Sequence, residues 1–330
     1  MKWARLLAAV LLADVAACSV SAGRQVAHVA STTTTLPAAT STTSPVPATS
    51  PAAATSPLVT TTTVARRAPY GIATTTLALV DTTRPTVSHG QLLSSSRTLT
   101  TTVWYPVGAP GPWPLVVFAH GYRLGFGPYI HLCQTWAAAG YVVAAPAFPL
   151  TDQAVAGSNL DENDIDNQPT DVSFVITGVL AHLSGMVDPA RIGLAGHSDG
   201  GQTMLGAGFQ PGWTDSRVRA VIGLSVQPLL VAPIYPYGPR AVLIAQGDQD
   251  TINPVDRGVG AYNQLRSPRY LLLLQGAGHL PPFAGGTQWQ PVVDQVTIDF
   301  LERFVGLRST SDAALRSDGQ ASGLATMTAS

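Results

Sequence analysis

The stretch that most constrains this chain runs from Arg191 to Gly208. A short apolar run, Arg191-Ile192-Gly193-Leu194, leads into Ala195-Gly196-His197-Ser198-Asp199-Gly200-Gly201, and Gln202 to Gly208 then reads as a helix. Strand, tight glycine turn and helix are the context in which a Gly-x-Ser-x-Gly segment presents its serine as a nucleophile. A serine at the tip of so sharp a turn is crowded, so side chains two residues before and after it must be absent. The helix beginning just beyond it aims backbone N–H groups at any negative charge forming there. The pattern alone is weak; its weight comes from the rest of the chain.

Around it, strand-like and helix-like patterns alternate. Gly71 to Val80 and Arg97 to Trp104 are Thr-rich with β-branched alternation, which predicts an antiparallel opening pair. Leu115 to Ala119 is a continuous apolar run of the kind buried on both faces of a sheet. Helices are predicted over Tyr129 to Ala139, Pro169 to Leu183, Val255 to Leu265 and Pro291 to Val305, and further strands over Tyr141 to Ala145, Val218 to Leu224, Ala241 to Ala245 and Tyr270 to Leu274. In the last helix Val292, Val296, Phe300 and Phe304 recur every four residues and face the sheet. Repeated strand–helix units give an α/β fold, a mostly parallel sheet with helices on both faces.

A serine in such a turn needs a base, and the base needs an orienting carboxylate. In a fold of this kind the order is serine, acid, histidine, each at the end of a late strand. Of seven histidines only His279 follows Ser198, and it lies just past the Leu271 to Leu274 run. Two acids follow the preceding strand, Asp248 and Asp250; the position of Asp250 lets its loop turn back toward the histidine, while Asp248 suits a turn brace. Backbone N–H groups of Asp199 and of Tyr122, in His120-Gly121-Tyr122, are the expected oxyanion donors. His120 precedes Ser198 by half a domain and reads as a loop brace.

These four segments, His120 to Tyr122, Gly196 to Gly201, Gly247 to Pro254 and Gly276 to His279, resemble the α/β-hydrolase superfamily over about residues 70 to 305. Within it the chain is most similar to dienelactone-hydrolase-like esterases, chlorophyllase-like proteins and the platelet-activating-factor acetylhydrolase group, with cutinase-type polyester hydrolases nearby. Asn167 to Val172 also resembles the helix start before the elbow in the first group. The resemblance implies a serine hydrolase of carboxylic esters working without a cofactor. True dienelactone hydrolases carry a cysteine nucleophile where this chain has Ser198. Polyester hydrolases usually carry methionine where it has Asp199, which speaks against a polyester substrate.

The connection from Val226 to Arg240 is too short for a lid domain and predicts an open site. Tyr235 and Tyr237 within it, with Phe283 and Trp289 flanking the histidine loop, are candidate pocket walls. An apolar, weakly charged pocket favours neutral acyl esters of short to medium chain. Asp161 to Asp166 invites a calcium reading, but Ile165 and Asp166 break the ligand pattern, so a solvated acidic loop is expected and no metal is required.

The ends do not read as globular. Residues 1–22 resemble a secretory signal, with Lys2 and Arg5 before apolar Leu6 to Leu12. Val15-Ala16-Ala17-Cys18 resembles a lipobox that would lipidate Cys18; ordinary cleavage after Ala22 is the alternative, and both send the chain out of the cytoplasm. Residues 23–66 read as a disordered Thr/Ser/Pro-rich linker, residues 67–306 as the catalytic domain, and residues 307–330 as a loose tail. A net charge of -1 with 11% charged residues gives no case for nucleic acid, and any membrane contact would run through the lipid anchor. Oligomeric state is not legible. Two other classes stay open: a non-catalytic binding lipoprotein on this scaffold, and a peptidase or acyltransferase using the same three residues.

Overall fold

The computed structural model describes residues 69–229, 240–308 and 310–330. The chain opens with β1 (Gly71–Asp81), β2 (Thr86–Ser88), β3 (Gln91–Ser94), β4 (Arg97–Val107) and β5 (Trp113–Ala119). Helix α1 (Ile130–Ala139), β6 (Val142–Pro146), a single turn α2 (Gln153–Ala156) and α3 (Gln168–His182) follow. Then come β7 (Val187–His197), α4 (Asp199–Phe209), β8 (Val218–Leu224), β9 (Ala241–Gly247), α5 (Val255–Gln264) and β10 (Arg269–Leu274). The chain ends with α6 (Gln290–Phe304), α7 (Asp312–Asp318) and β11 (Ala325–Ala329).

Nine strands form one sheet in the order β1-β4-β6-β5-β7-β8-β9-β10-β11. The six from β6 to β10 are parallel, flanked by antiparallel β1–β4 on one side and β11 on the other. Parallel strands need coverage on both faces, which is why β5, β6 and β9 are buried along their whole length. Side chains alternate between two cores: Leu115, Val117 and Ala119 pack with α3, α4 and α5, whereas Val116 and Phe118 pack with α1, α6 and α7. The stripe foreseen on α6 docks through Val292, Val296 and Phe300, widened by Val293 and Leu301.

Three parts depart from expectation. The first is the hairpin β2–β3, whose turn residues His89 (φ 48) and Gly90 (φ 82) are both left-handed, as a tight two-residue turn requires. The second is the acidic loop, which is not simply solvated. Arg97, buried at the head of β4, reaches Asp164 (2.9 and 2.8 Å) and Asp171 in the first turn of α3 (2.9 and 2.6 Å). The Asp161 carboxylate is also buried and accepts the His89 N–H at 2.8 Å. A buried charge tolerates this only when paired and hydrogen-bonded.

The third correction is the tail, expected loose but folded as α7 and β11. Ser311 caps α7 by accepting from Ala314 N–H, and Leu315 is fully buried. In β11, Ala325 and Met327 face the core while Thr326 and Thr328 face out, so Ala-Thr-Met-Thr-Ala is a two-residue alternation in small side chains. Tyr270 to Leu274 pair antiparallel with Ala329 to Ala325, supplying a partner for the outer edge of β10.

Candidate active site

Ser198 stands between β7 and α4 with φ 55 and ψ −123, a strained conformation for a residue other than glycine. The sheet imposes it from one side: Ser198 N–H still bonds Leu224 O at 2.9 Å as if β7 continued. The helix imposes it from the other, since Gln202 N–H bonds Ser198 O at 3.0 Å. The flanking glycines are sterically required. A Cβ on Gly196 would collide with Gly200 O, and one on Gly200 with Ala119 O.

The loop after β5 lies against this turn. A Cβ on Gly121 would fall 3.4 Å from Ser198 Cβ and 3.2 Å from His197 Nδ1. Here Arg123 N–H bonds Thr151 O at 2.8 Å and Leu124 N–H bonds Gly121 O at 3.1 Å, fixing the backbone that carries Tyr122. Asp199 is the first residue of α4, where N–H groups have no acceptor within the helix. His120 braces the loop: its Nδ1–H donates to Gly121 O (2.9 Å) and its Nε2 accepts from Phe148 N–H (3.3 Å). Burial holds this imidazole below its ordinary pKa, so it stays neutral.

His279 and Asp250 meet across the loops after β10 and β9, with Nδ1 to Oδ2 at 2.8 Å. Asp248 points elsewhere, its Oδ1 accepting from Gly276 N–H at 2.7 Å. The Asp250 carboxylate is buried and ringed by donors: Ile252 N–H (2.9 Å) and Asn253 N–H (2.8 Å) on Oδ1, and Gln246 Nε2 (3.1 Å) on Oδ2. Burial alone would raise its pKa, but the His279 hydrogen bond and charge, with the two backbone donors, outweigh it and hold the carboxyl below its ordinary value. A charged Asp250 fixes the proton of His279 on Nδ1 and leaves Nε2 as the basic nitrogen.

Four residues at this site carry no role in the sequence reading. His197 accepts at Nδ1 from Tyr129 O–H (2.8 Å) and donates from Nε2 to His279 O (2.9 Å). Ser225, at the end of β8 with φ 49, also donates to His279 O at 3.1 Å, and its own carbonyl accepts from Asn253 Nδ2 at 2.7 Å. The only signal available was polar residue types inside apolar runs, which names no partner.

Among the pocket candidates, Phe283 is 1% exposed and packs on the His197 ring at 5.5 Å, so it belongs to the core rather than to an open wall. Trp289 is half-buried, its indole N–H bonded to Gln275 O at 2.8 Å. Tyr235, Tyr237 and Cys18 lie outside the described residues. Cys133 is buried in α1, and burial pushes its thiol pKa up. Among the described residues no group of His, Cys, Asp and Glu converges to hold a metal ion.

The sheet order, the strained serine between strand and helix, and helices on both faces define an α/β-hydrolase fold. Residues 70–229 match the family model for chlorophyllase, which points to a hydrolase of ester type. The matched segment includes Ser198 and the Gly121 loop and ends before Asp250 and His279. No curated protein matches the chain.

Proposed function

We propose that the chain is a serine carboxylic-ester hydrolase in which Ser198 attacks the ester carbonyl as His279 Nε2 takes its proton. Asp250 keeps the imidazole in the required tautomer and stabilises the imidazolium that forms. The N–H groups of Tyr122 and Asp199 meet the oxyanion, positioned by backbone alone and therefore without reorganisation as charge develops. The alcohol leaves with the proton held on His279, and water then releases the acyl group from Ser198. The observation that carries this reading is the His279–Asp250 contact formed on the loops beside a serine held at φ 55.

The Val226 to Arg240 connection is too short for a lid domain, which supports an open site, and the substrates proposed for it are neutral acyl esters of short to medium chain. The signal-like start and Cys18 support an exported protein held to the envelope by a lipid, with residues 23–66 as its tether. The test is turnover of p-nitrophenyl esters from acetate to palmitate by the full chain, beside Ser198→Ala. Hydrolysis strongest on short acyl groups and reduced at least ~10⁴-fold in the variant is expected. Turnover that survives in the variant would sink the serine mechanism. No turnover and no labelling of the wild type by a fluorophosphonate would leave a binding protein.

A further inference from the structure

The His197 ring lies behind the site, enclosed by Tyr129 (ring centroids 5.4 Å apart), Phe283 (5.5 Å) and His279 (4.6 Å). Both His197 and Tyr129 are 0% exposed. With no route to solvent or substrate, His197 cannot serve as an acid or base. What it can do follows from its partners. His279 O is a carbonyl and only accepts, so His197 Nε2 must carry the proton; a neutral ring then leaves Nδ1 as acceptor, and the Tyr129 hydroxyl fills it. Burial, reinforced by the nearby His279 charge, pushes the His197 pKa down to about 3, which keeps the ring neutral while His279 cycles. The Tyr129 hydroxyl also lies against Gly121, in the loop that carries Tyr122: a Cβ on Gly121 would fall 3.3 Å from it.

We propose that Tyr129 and His197 form a positioning relay in which the Tyr129 hydroxyl fixes the His197 tautomer, and His197 Nε2–H holds the main chain of His279 in register with Ser198. It rests on the esterase reading for its catalytic meaning. The relay runs from Tyr129, packed against the Gly121 loop, through His197 to the His279 carbonyl. It therefore ties the oxyanion side of the site to the base side through groups that never touch substrate. It is the counterpart, on the main chain, of what Asp250 does for the ring. Without the Tyr129 hydroxyl the ring can shift its proton to Nδ1, and Nε2 would then turn a lone pair on the His279 carbonyl instead of a donor. Ser225 Oγ would remain as the second donor, so the loop stays attached but loses one of its two restraints.

The test uses the full chain with Tyr129→Phe, His197→Leu and His197→Gln, whose side-chain amide can keep the donor to His279 O. Turnover of p-nitrophenyl butyrate is expressed per site titrated with a fluorophosphonate, so that misfolded protein is not counted. We expect kcat to fall roughly tenfold in Tyr129→Phe and roughly 10²-fold in His197→Leu, each with KM within about twofold. His197→Gln should recover most of the loss. Proton and nitrogen NMR of the imidazoles gives a readout independent of turnover. His197 should be protonated on Nε2 in the wild type and mixed in Tyr129→Phe. The low-field Nδ1 proton that His279 shares with Asp250 should weaken in Tyr129→Phe and His197→Leu. Wild-type His197 protonated on Nδ1 overturns the relay, as does an unchanged His279 signal or unchanged kcat per titrated site in both variants. Absence of ester turnover in the wild type would remove the esterase reading alone, because the spectra still decide the relay.

Discussion

The two halves of the site are held in place by different means. Ser198 is fixed by backbone: a ladder bond to Leu224, a helix bond from Gln202, and two glycines whose missing side chains let the turn close against Ala119 and Gly200. His279 is fixed by side chains: Asp250 on its ring, and His197 and Ser225 on its carbonyl. A backbone-held group tolerates no added atom. A side-chain-held group fails one hydrogen bond at a time, and its failures depend on protonation. Ser198, the proposed nucleophile, is thus fixed by backbone hydrogen bonds and close packing, whereas His279, the proposed base, is fixed by side-chain hydrogen bonds and charge.

The sharpest way to probe the electrostatic half is Asp250→Asn, which keeps the shape of the acid and removes its charge. If Asp250 sets the tautomer of His279, kcat should drop by about 10³- to 10⁴-fold with little change in KM, read by ester hydrolysis at neutral pH. Asp248→Asn should cost less than about threefold, since Asp248 braces Gly276 and does not approach the histidine. Equal losses in the two variants would break the assignment. The backbone half is probed by Gly200→Ala. The added methyl meets the Ala119 and His120 carbonyls, neither of which is the end of a flexible side chain. A shift of the elbow by a large fraction of an ångström should lower kcat by about 10²-fold and stability by about 1–3 kcal/mol. Retention of full activity would mean the turn is not rigid.

This division also decides what was legible in the sequence. Backbone constraints leave glycines at fixed offsets, so the elbow, its strand and its helix are readable from Gly196 to Gly201. The order of strands gives His279, and loop geometry favours Asp250 over Asp248. Side-chain networks leave no such periodic mark. Nothing in the spacing says that Tyr129 meets His197 across 68 positions, or that Arg97 meets Asp164 across 67. The same asymmetry holds at the two edges of the sheet. Gly71 to Val80 announces itself by β-branched alternation, and β1 pairs antiparallel with β4 as expected. The other edge, Ala325 to Ala329, alternates too, but in alanine, threonine and methionine following a polar stretch, and composition masked it. Phe283 shows the converse error. An aromatic residue near the His279 loop invites a role in the pocket, yet the ring is spent on covering His197.

The smallest expected effect separates the two halves by pH alone. In the folded chain the Asp250 carboxyl sits below its ordinary value because of its His279, Asn253 and Ile252 donors, although burial opposes this. Such a group binds fewer protons folded than unfolded over the window beneath the unfolded value of about 3.9. Its stabilisation is therefore fully present above that window and is lost as pH falls through the folded value. A protonated Asp250 is close in shape and charge to the asparagine of Asp250→Asn. The gap in urea stability between wild type and Asp250→Asn should accordingly narrow as pH is lowered from about 5 toward 3. Gly200→Ala removes no titrating group, so its gap from the wild type should stay constant over the same range. An Asp250→Asn gap that holds constant to the acid transition would mean that the carboxylate is not held by its charge. Its donors would then be matching shape alone, and the contrast between a backbone-fixed Ser198 and an electrostatically fixed His279 would fail at its most direct point.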